Sequence, residues 1–215
     1  MKTKYSIENF DSFLTKYPPI LEIYSKKEVL ILYEEWRTNN GVFFHDYLWL
    51  LFNKAILKNG EFFQETNDER LFYSNAFYLY NKMAHFRGEE GASKEEINKF
   101  HKLSHEVYIE EAKNRKNMDI VLISHPKCEY ANPLNKKKYS VNNFLDECKI
   151  ASELCTLNTG CGCSIAQVPR RDKNGRLIRV LDTKKTNELK EAKGCVFNLL
   201  SIIISFAVLT YSILY

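Results

Sequence analysis

Residues 67–114 read NDERLFYSNAFYLYNKMAHFRGEEGASKEEINKFHKLSHEVYIEEAKN, and the pattern predicts two long helices in succession. Asp68-Glu69 sets carboxylates in a first turn, where they complement the positive end of the helix dipole. That helix is expected from Asn67 to His85, with Gly88 and Gly91 breaking it. Ser93-Lys94-Glu95-Glu96 has the capping-box pattern, Ser93 accepting from the backbone and Glu96 reaching back. Ile97, Phe100, Leu103, Val107 and Tyr108 then recur at helical spacing, predicting a helix to about Asn114.

Toward the N-terminus the same character continues. Ile7, Phe10, Phe13 and Leu14 repeat at helical spacing until Pro18-Pro19 ends the segment. A helix is expected from Ile20 to Trp36, closed by Asn39-Asn40-Gly41, and another from Val42 to Leu57, stopped by Asn59-Gly60. The latter contains His45, Asp46 and Lys54, so it reads as a core helix rather than a membrane span.

Beyond Met118 the character changes. Asp119 to Ser124 is a short β-prone run, and the loop His125 to Lys138 follows. A helix is expected from Val141 to Cys155. Ser164–Val168 and Arg176–Val180 then flank Asn174-Gly175, a hairpin-turn signal. The resulting fold class is mainly α: a helical bundle over 1–117, a Cys-rich α+β segment over 118–182, and a basic juxtamembrane helix with a transmembrane anchor over 183–215.

The anchor rests on charge. All 58 charged residues fall in the first 193 positions, and Gly194 to Tyr215 has none. Cys195 to Tyr215 is 21 residues long, roughly 30 Å as a helix, enough for a bilayer core. Lys184, Lys185, Lys190 and Lys193 precede it and supply a positive-inside, lipid-facing flank, which places the bulk of the chain in the cytoplasm. Asn198, Ser201, Ser205 and Thr210 are polar for a lone lipid-facing helix; contacts between spans would satisfy them, so a homo-oligomer in the membrane is expected. A buried C-terminal helix is the alternative. No other stretch is long and uncharged enough to span, which excludes a polytopic transporter. Met1–Asp11 has no apolar core, so no secretory signal is expected. The net charge of +4 is too small to argue for nucleic acid by itself.

Six cysteines fall at 128, 148, 155, 161, 163 and 195; without an export signal they are expected to be reduced. His125-Pro-Lys-Cys128 with Cys161-Gly-Cys163 supplies imidazole and thiolate ligands for a zinc ion, which would compensate the small core of this segment. Cys148 and Cys155 share the face of the expected helix and read as buried thiols. His101 and His105 stand at i, i+4, yet Lys102 occupies the place of the protease glutamate, so they read as two polar-face histidines.

Within Tyr80-Asn81-Lys82-Met83-Ala84-His85, Asn81 and His85 are also i and i+4 and project from one helix face, a pair able to orient phosphate or ribose and transfer a proton. The alternative for His85 is a histidine at a helix C-terminus. The segment resembles the Arg-Asn-x-x-x-His signature of HEPN-superfamily proteins, helical-bundle ribonucleases and their inactive relatives. The resemblance implies that Asn81 and His85 are catalytic if the chain is active. Tyr80 stands at the arginine place, removing a cation that would stabilise transition-state charge, and this argues against an enzyme.

A HEPN-like bundle joined to a span also resembles the small membrane accessory proteins of type VI-B CRISPR systems. That resemblance implies antiviral defence, assembly in the membrane, permeabilisation, and RNA or an RNA-guided effector as partner. A membrane-tethered ribonuclease and a zinc-stabilised adaptor that recruits a soluble partner are the alternatives.

Overall fold

A computed structural model describes residues 5–39, 43–115 and 117–178. Its element order is helical first and mixed afterwards: α1 (Phe10–Lys16), α2 (Lys26–Asn39), α3 (Phe44–Thr66), α4 (Glu69–Glu89), α5 (Lys94–Asn114), β1 (Met118–Ile123), β2 (Lys138–Ser140), α6 (Phe144–Glu147) and β3 (Ser164–Pro169). The described residues are therefore mainly α, as the periodicity predicts.

Local chemistry explains the boundaries. The Asp68 carboxylate accepts the Leu71 N–H at 2.9 Å and starts α4; Ser93 Oγ accepts the Glu96 N–H at 3.2 Å and starts α5. Gly88 does not break α4, which runs on to Glu89. The stop comes at Gly91, whose φ of 74° only glycine adopts freely. The expected Ile20–Trp36 helix is divided, because Ser25 caps a fresh start: Ser25 Oγ accepts the Glu28 N–H at 3.2 Å while Glu28 accepts the Ser25 N–H at 2.7 Å.

Two helix boundaries correct the sequence reading. Asn59-Gly60 does not end α3, which continues to Thr66. Asn59 is buried; its amide donates to the Phe72 carbonyl at 2.9 Å and accepts from Asn75 at 3.1 Å, so a polar residue that reads as a turn instead ties α3 to α4. Val141–Cys155 is helical only over Phe144–Glu147. Beyond it Ala151 takes a φ of 55°, Ser152 Oγ donates to the Lys149 carbonyl at 2.6 Å, and the Lys149 N–H donates to Tyr130 Oη at 3.2 Å. These side-chain bonds displace the helical ladder.

The three strands form an antiparallel sheet in the order β2-β1-β3, with Ile120 opposite Tyr139 on one side and Gln167 on the other. Gln167 also ties the sheet to α5, donating to the Tyr108 carbonyl and the Glu111 carboxylate at 3.0 Å each. The Asn174-Gly175 turn forms: Asp172 accepts from the Asn174 and Arg176 N–H groups, and Arg171 bridges Leu177.

Two hydrophobic clusters result. One is aromatic, filled by Phe10, Phe13, Tyr17, Tyr47, Phe52 and Phe86. The other contains Ile120, Leu122, Tyr139, Phe144 and all five described cysteines. Helix α5 gives Ile97 and Phe100 to the first and Ile109 and Ala112 to the second, so the expected boundary at 117 falls after an element that serves both.

Candidate functional site

The Asn81/His85 pair lies on α4, but its two members face different partners. Asn81 Nδ2 donates to the Phe77 carbonyl at 3.1 Å and to Ser104 Oγ of α5 at 2.5 Å. His85 is exposed, with Nδ1 3.2 Å from Tyr17 Oη. The Tyr17 phenol donates to Glu89 Oε2 at 2.6 Å, Tyr5 donates to the same oxygen at 3.0 Å, and Lys16 pairs with Oε1. A phenol has one proton, and here Glu89 receives it. His85 Nδ1 is therefore the donor toward Tyr17, which selects the Nδ1–H tautomer. Burial, reinforced by Glu89, pushes the Tyr17 phenol far above its ordinary range and keeps it protonated.

Tyr80, at the signature's arginine place, is a phenol whose pKa burial raises to about 12, with Glu106 adding to the shift. Arg87 is held by Glu96 at 2.6 Å, lies 3.9 Å from Glu90, and covers the Trp49 ring at 5.4 Å.

The α5 histidines are not on a polar face, contrary to expectation. His105 is buried, and burial pulls its pKa down to about 3 with His101 contributing. His101 falls from 6.5 to about 4, through burial first and then the neighbouring His85. Residues distant in sequence, His85 beside His101 and Cys163 beside His105, stand where lysine and glutamate neighbours suggest a wet stripe.

A pH dependence follows. The folded His101 binds its proton more weakly than the unfolded chain does, so the unfolded state takes up protons first and stability falls as pH drops from 6.5 toward 4. We expect His101 to contribute a loss of about 2 kcal/mol between about pH 7 and pH 5. Urea midpoints of wild type and His101→Gln across that window should converge at acid pH; parallel curves would show no such contribution.

The second constellation is the cysteine cluster. Cys128 leaves the loop after β1, Cys155 sits in the segment after α6, and Cys161 and Cys163 lead into β3; all are buried. Together with Cys148 they belong to one buried cluster. Donation by Cys161, backed by the His125 N–H at 3.4 Å, lowers the Cys163 pKa to about 6. The Cys161 thiol is raised by giving that bond and by burial. Burial raises the Cys148 thiol above its ordinary range.

Three of the four expected zinc ligands, Cys128, Cys161 and Cys163, fall in this buried cluster. His125 is close as well, but its Nδ1 accepts the Lys127 N–H at 3.2 Å and its ring packs on Gly162, where a Cβ would stand 2.8 Å from Cδ2. Cys155 is the member that spacing does not reveal. As they stand, no group of three or more His, Cys, Asp or Glu among the described residues is arranged to hold a metal ion.

The expected membrane residues Lys184, Lys185, Lys190, Lys193, Asn198, Ser201, Ser205 and Thr210 lie outside the described residues. Among the described residues no helix is long and apolar enough to cross a membrane. Fold and site together define, over the described residues, a mainly helical protein with a thiol-rich α+β segment packed against α5. No protein-family model, curated protein or solved structure matches the chain.

Proposed function

We propose that this chain is a C-terminally membrane-anchored effector or accessory protein of prokaryotic antiviral defence, which self-assembles in the bilayer and permeabilises it. The observation that carries the reading is the charge partition: 58 charged residues in the first 193 positions and none in the last 22. A water-facing body joined to one uncharged segment of bilayer length is the composition of a single-span protein. The polar Asn198, Ser201, Ser205 and Thr210 favour contacts between spans over a solitary tether.

The α4 geometry favours this reading over the tethered ribonuclease. Asn81 is committed to Ser104, Tyr80 offers no cation, and Arg87 is committed to Glu96. Of the two motif residues, Asn81 ties α4 to α5, while His85 is exposed beside Tyr17.

The test uses the full chain in vesicles containing anionic lipid. The chain should float with the vesicles, run as an oligomer in mild detergent and release an entrapped dye. Deleting residues 195–215 should abolish all three behaviours. Replacing Asn198, Ser201, Ser205 and Thr210 together by leucine should leave flotation intact and remove dye release. A full chain that stays monomeric and leaves vesicles sealed overturns the proposal.

A further inference from the structure

We propose that the outward face of α2 pairs with the same face of a second copy of this chain, the two helices antiparallel about a two-fold axis between Leu30 and Ile31. On one side of α2, Val29, Leu32, Tyr33 and Trp36 pack into the aromatic cluster. Roughly opposite them, Lys26, Lys27, Leu30, Ile31, Glu34 and Glu35 line one shallow depression, formed among the described residues by α2 alone. Leu30 is 39% exposed and Ile31 48%, so two adjacent aliphatic side chains stand in water midway along it.

The order of the six residues chooses the occupant. Along the helix they run basic, basic, apolar, apolar, acidic, acidic. A two-fold axis at the midpoint sets Lys26 opposite the partner's Glu35, Lys27 opposite the partner's Glu34, and Leu30 opposite the partner's Ile31, with each contact repeated on the other side. A parallel copy would set lysine on lysine and glutamate on glutamate, which is repulsive. An apolar peptide or a lipid surface would cover Leu30 and Ile31 but give the acidic end nothing. An antiparallel second copy satisfies all six positions.

The charges also stand against the interest of the isolated helix. Lys26 and Lys27 open α2, at the end where the helix dipole disfavours cations. Pairing within the chain answers half of the four charges: Lys26 meets Asp11 at 2.8 Å and Glu34 meets Arg37 at 2.7 Å. Among the described residues Lys27 and Glu35 join no ion pair. A second copy brings carboxylates to the lysine end and opposes the two helix dipoles, which attract when antiparallel and side by side.

Size sets the strength. Helix α2 has 14 residues, roughly 21 Å of length. One such helix pair buries less than a standard interface, which begins at about 1,200 Å². The contact is therefore weak by itself and gains from a high local concentration, such as two chains held in one membrane. It does not rest on the membrane reading, although a shared bilayer would strengthen it.

The experiment mixes light- and heavy-isotope-labelled full chains, in mild detergent and in vesicles, and treats them with a water-soluble carbodiimide. That reagent activates a carboxylate and joins it to a touching lysine amine as an amide. Within one helix Lys27 lies at least about 10 Å from Glu34 and Glu35, too far for such a link. Peptides joining Lys27 to Glu34 or Glu35 across light and heavy chains are expected. Lys27→Glu and Glu35→Lys should each lower the yield of dimer linked through α2 about tenfold. Both changes in one chain should restore it, and the two single variants mixed together should link to each other. Ile31→Lys, which puts a charge beside its own copy at the axis, should abolish the link. All three positions are exposed, so these variants should fold. Absence of mixed-isotope α2 peptides in both settings overturns the proposal, as does a combined variant that restores nothing. An oligomer that survives every charge reversal without an α2 link belongs to the span; it overturns this pairing and spares the membrane reading.

Discussion

Phe13→Ala should cost about 3–5 kcal/mol of folding stability, near the upper range for removing a buried aromatic side chain. Phe13 is fully buried, and its ring centroid lies 5.2 Å from Tyr5, 5.8 Å from Phe10, 4.7 Å from Tyr17, 5.9 Å from Phe52 and 5.9 Å from Phe86. Several of these pairs are edge-to-face, a geometry that adds to the gain from burial alone. Helix α1 has only seven residues and could not persist by itself, so tertiary packing holds it. Phe13 is the centre of that packing.

The loss would reach the α4 face as well. Phe13 backs Tyr17, and Tyr17 joins His85 to Glu89. The check is the urea midpoint of Phe13→Ala beside Tyr78→Ala, whose side chain is 53% exposed and should shift stability far less. Equal midpoints for the two variants would refute this account of the core. Phe13→Leu should recover much of the loss, because it keeps most of the apolar volume.

What the sequence exposes and what it hides divide along a physical line. Helices α4 and α5 are legible because their starts are local: Asp68 and Ser93 cap within three residues, and the apolar stripe of α5 needs only its own period. The run of α3 through Asn59-Gly60 is hidden, since the reward for burying an asparagine comes from Phe72 and Asn75 on another helix. His101 and His105 mislead for a similar reason. Their neighbours Lys99, Lys102 and Glu106 look wet, and burial among residues distant in sequence makes the face dry.

Among the candidate site residues, Cys128, Cys161 and Cys163 are legible by residue type and spacing. Cys155 is not, because its approach depends on a segment that reads as helix and instead folds back through Ala151 in the left-handed region. A weaker signal was present: five cysteines within a span of 36 residues, in a segment poor in other large apolar residues. Read together rather than as ligand pairs, they point to a cluster.

Gly160→Ala should be as damaging as the loss of Phe13, at about 3–5 kcal/mol, although it adds a single methyl group. Two costs combine. Gly160 has a φ of +90°, where an L side chain is strained, and a Cβ there would stand 2.4 Å from Ile97 Cγ2 and 3.1 Å from Ile97 Cβ. Retreat of the loop is blocked, because the next N–H, that of Cys161, is held by Asn98 at 2.7 Å. The variant must therefore move Ile97, which is buried, or release Cys161 from α5.

A double-mutant cycle separates the costs. Ile97→Ala removes the closer clashing atom, so Gly160→Ala should be less harmful by about 1–2 kcal/mol in that background than in wild type. The remainder is backbone strain, which no change at Ile97 relieves. Hydrogen exchange gives a local reading: protection of the Cys161 amide should collapse in Gly160→Ala while α3 amides lose only what the global destabilisation explains. Additive effects in the cycle, or an alanine variant within about 0.5 kcal/mol of wild type, would mean that α5 does not clamp this loop.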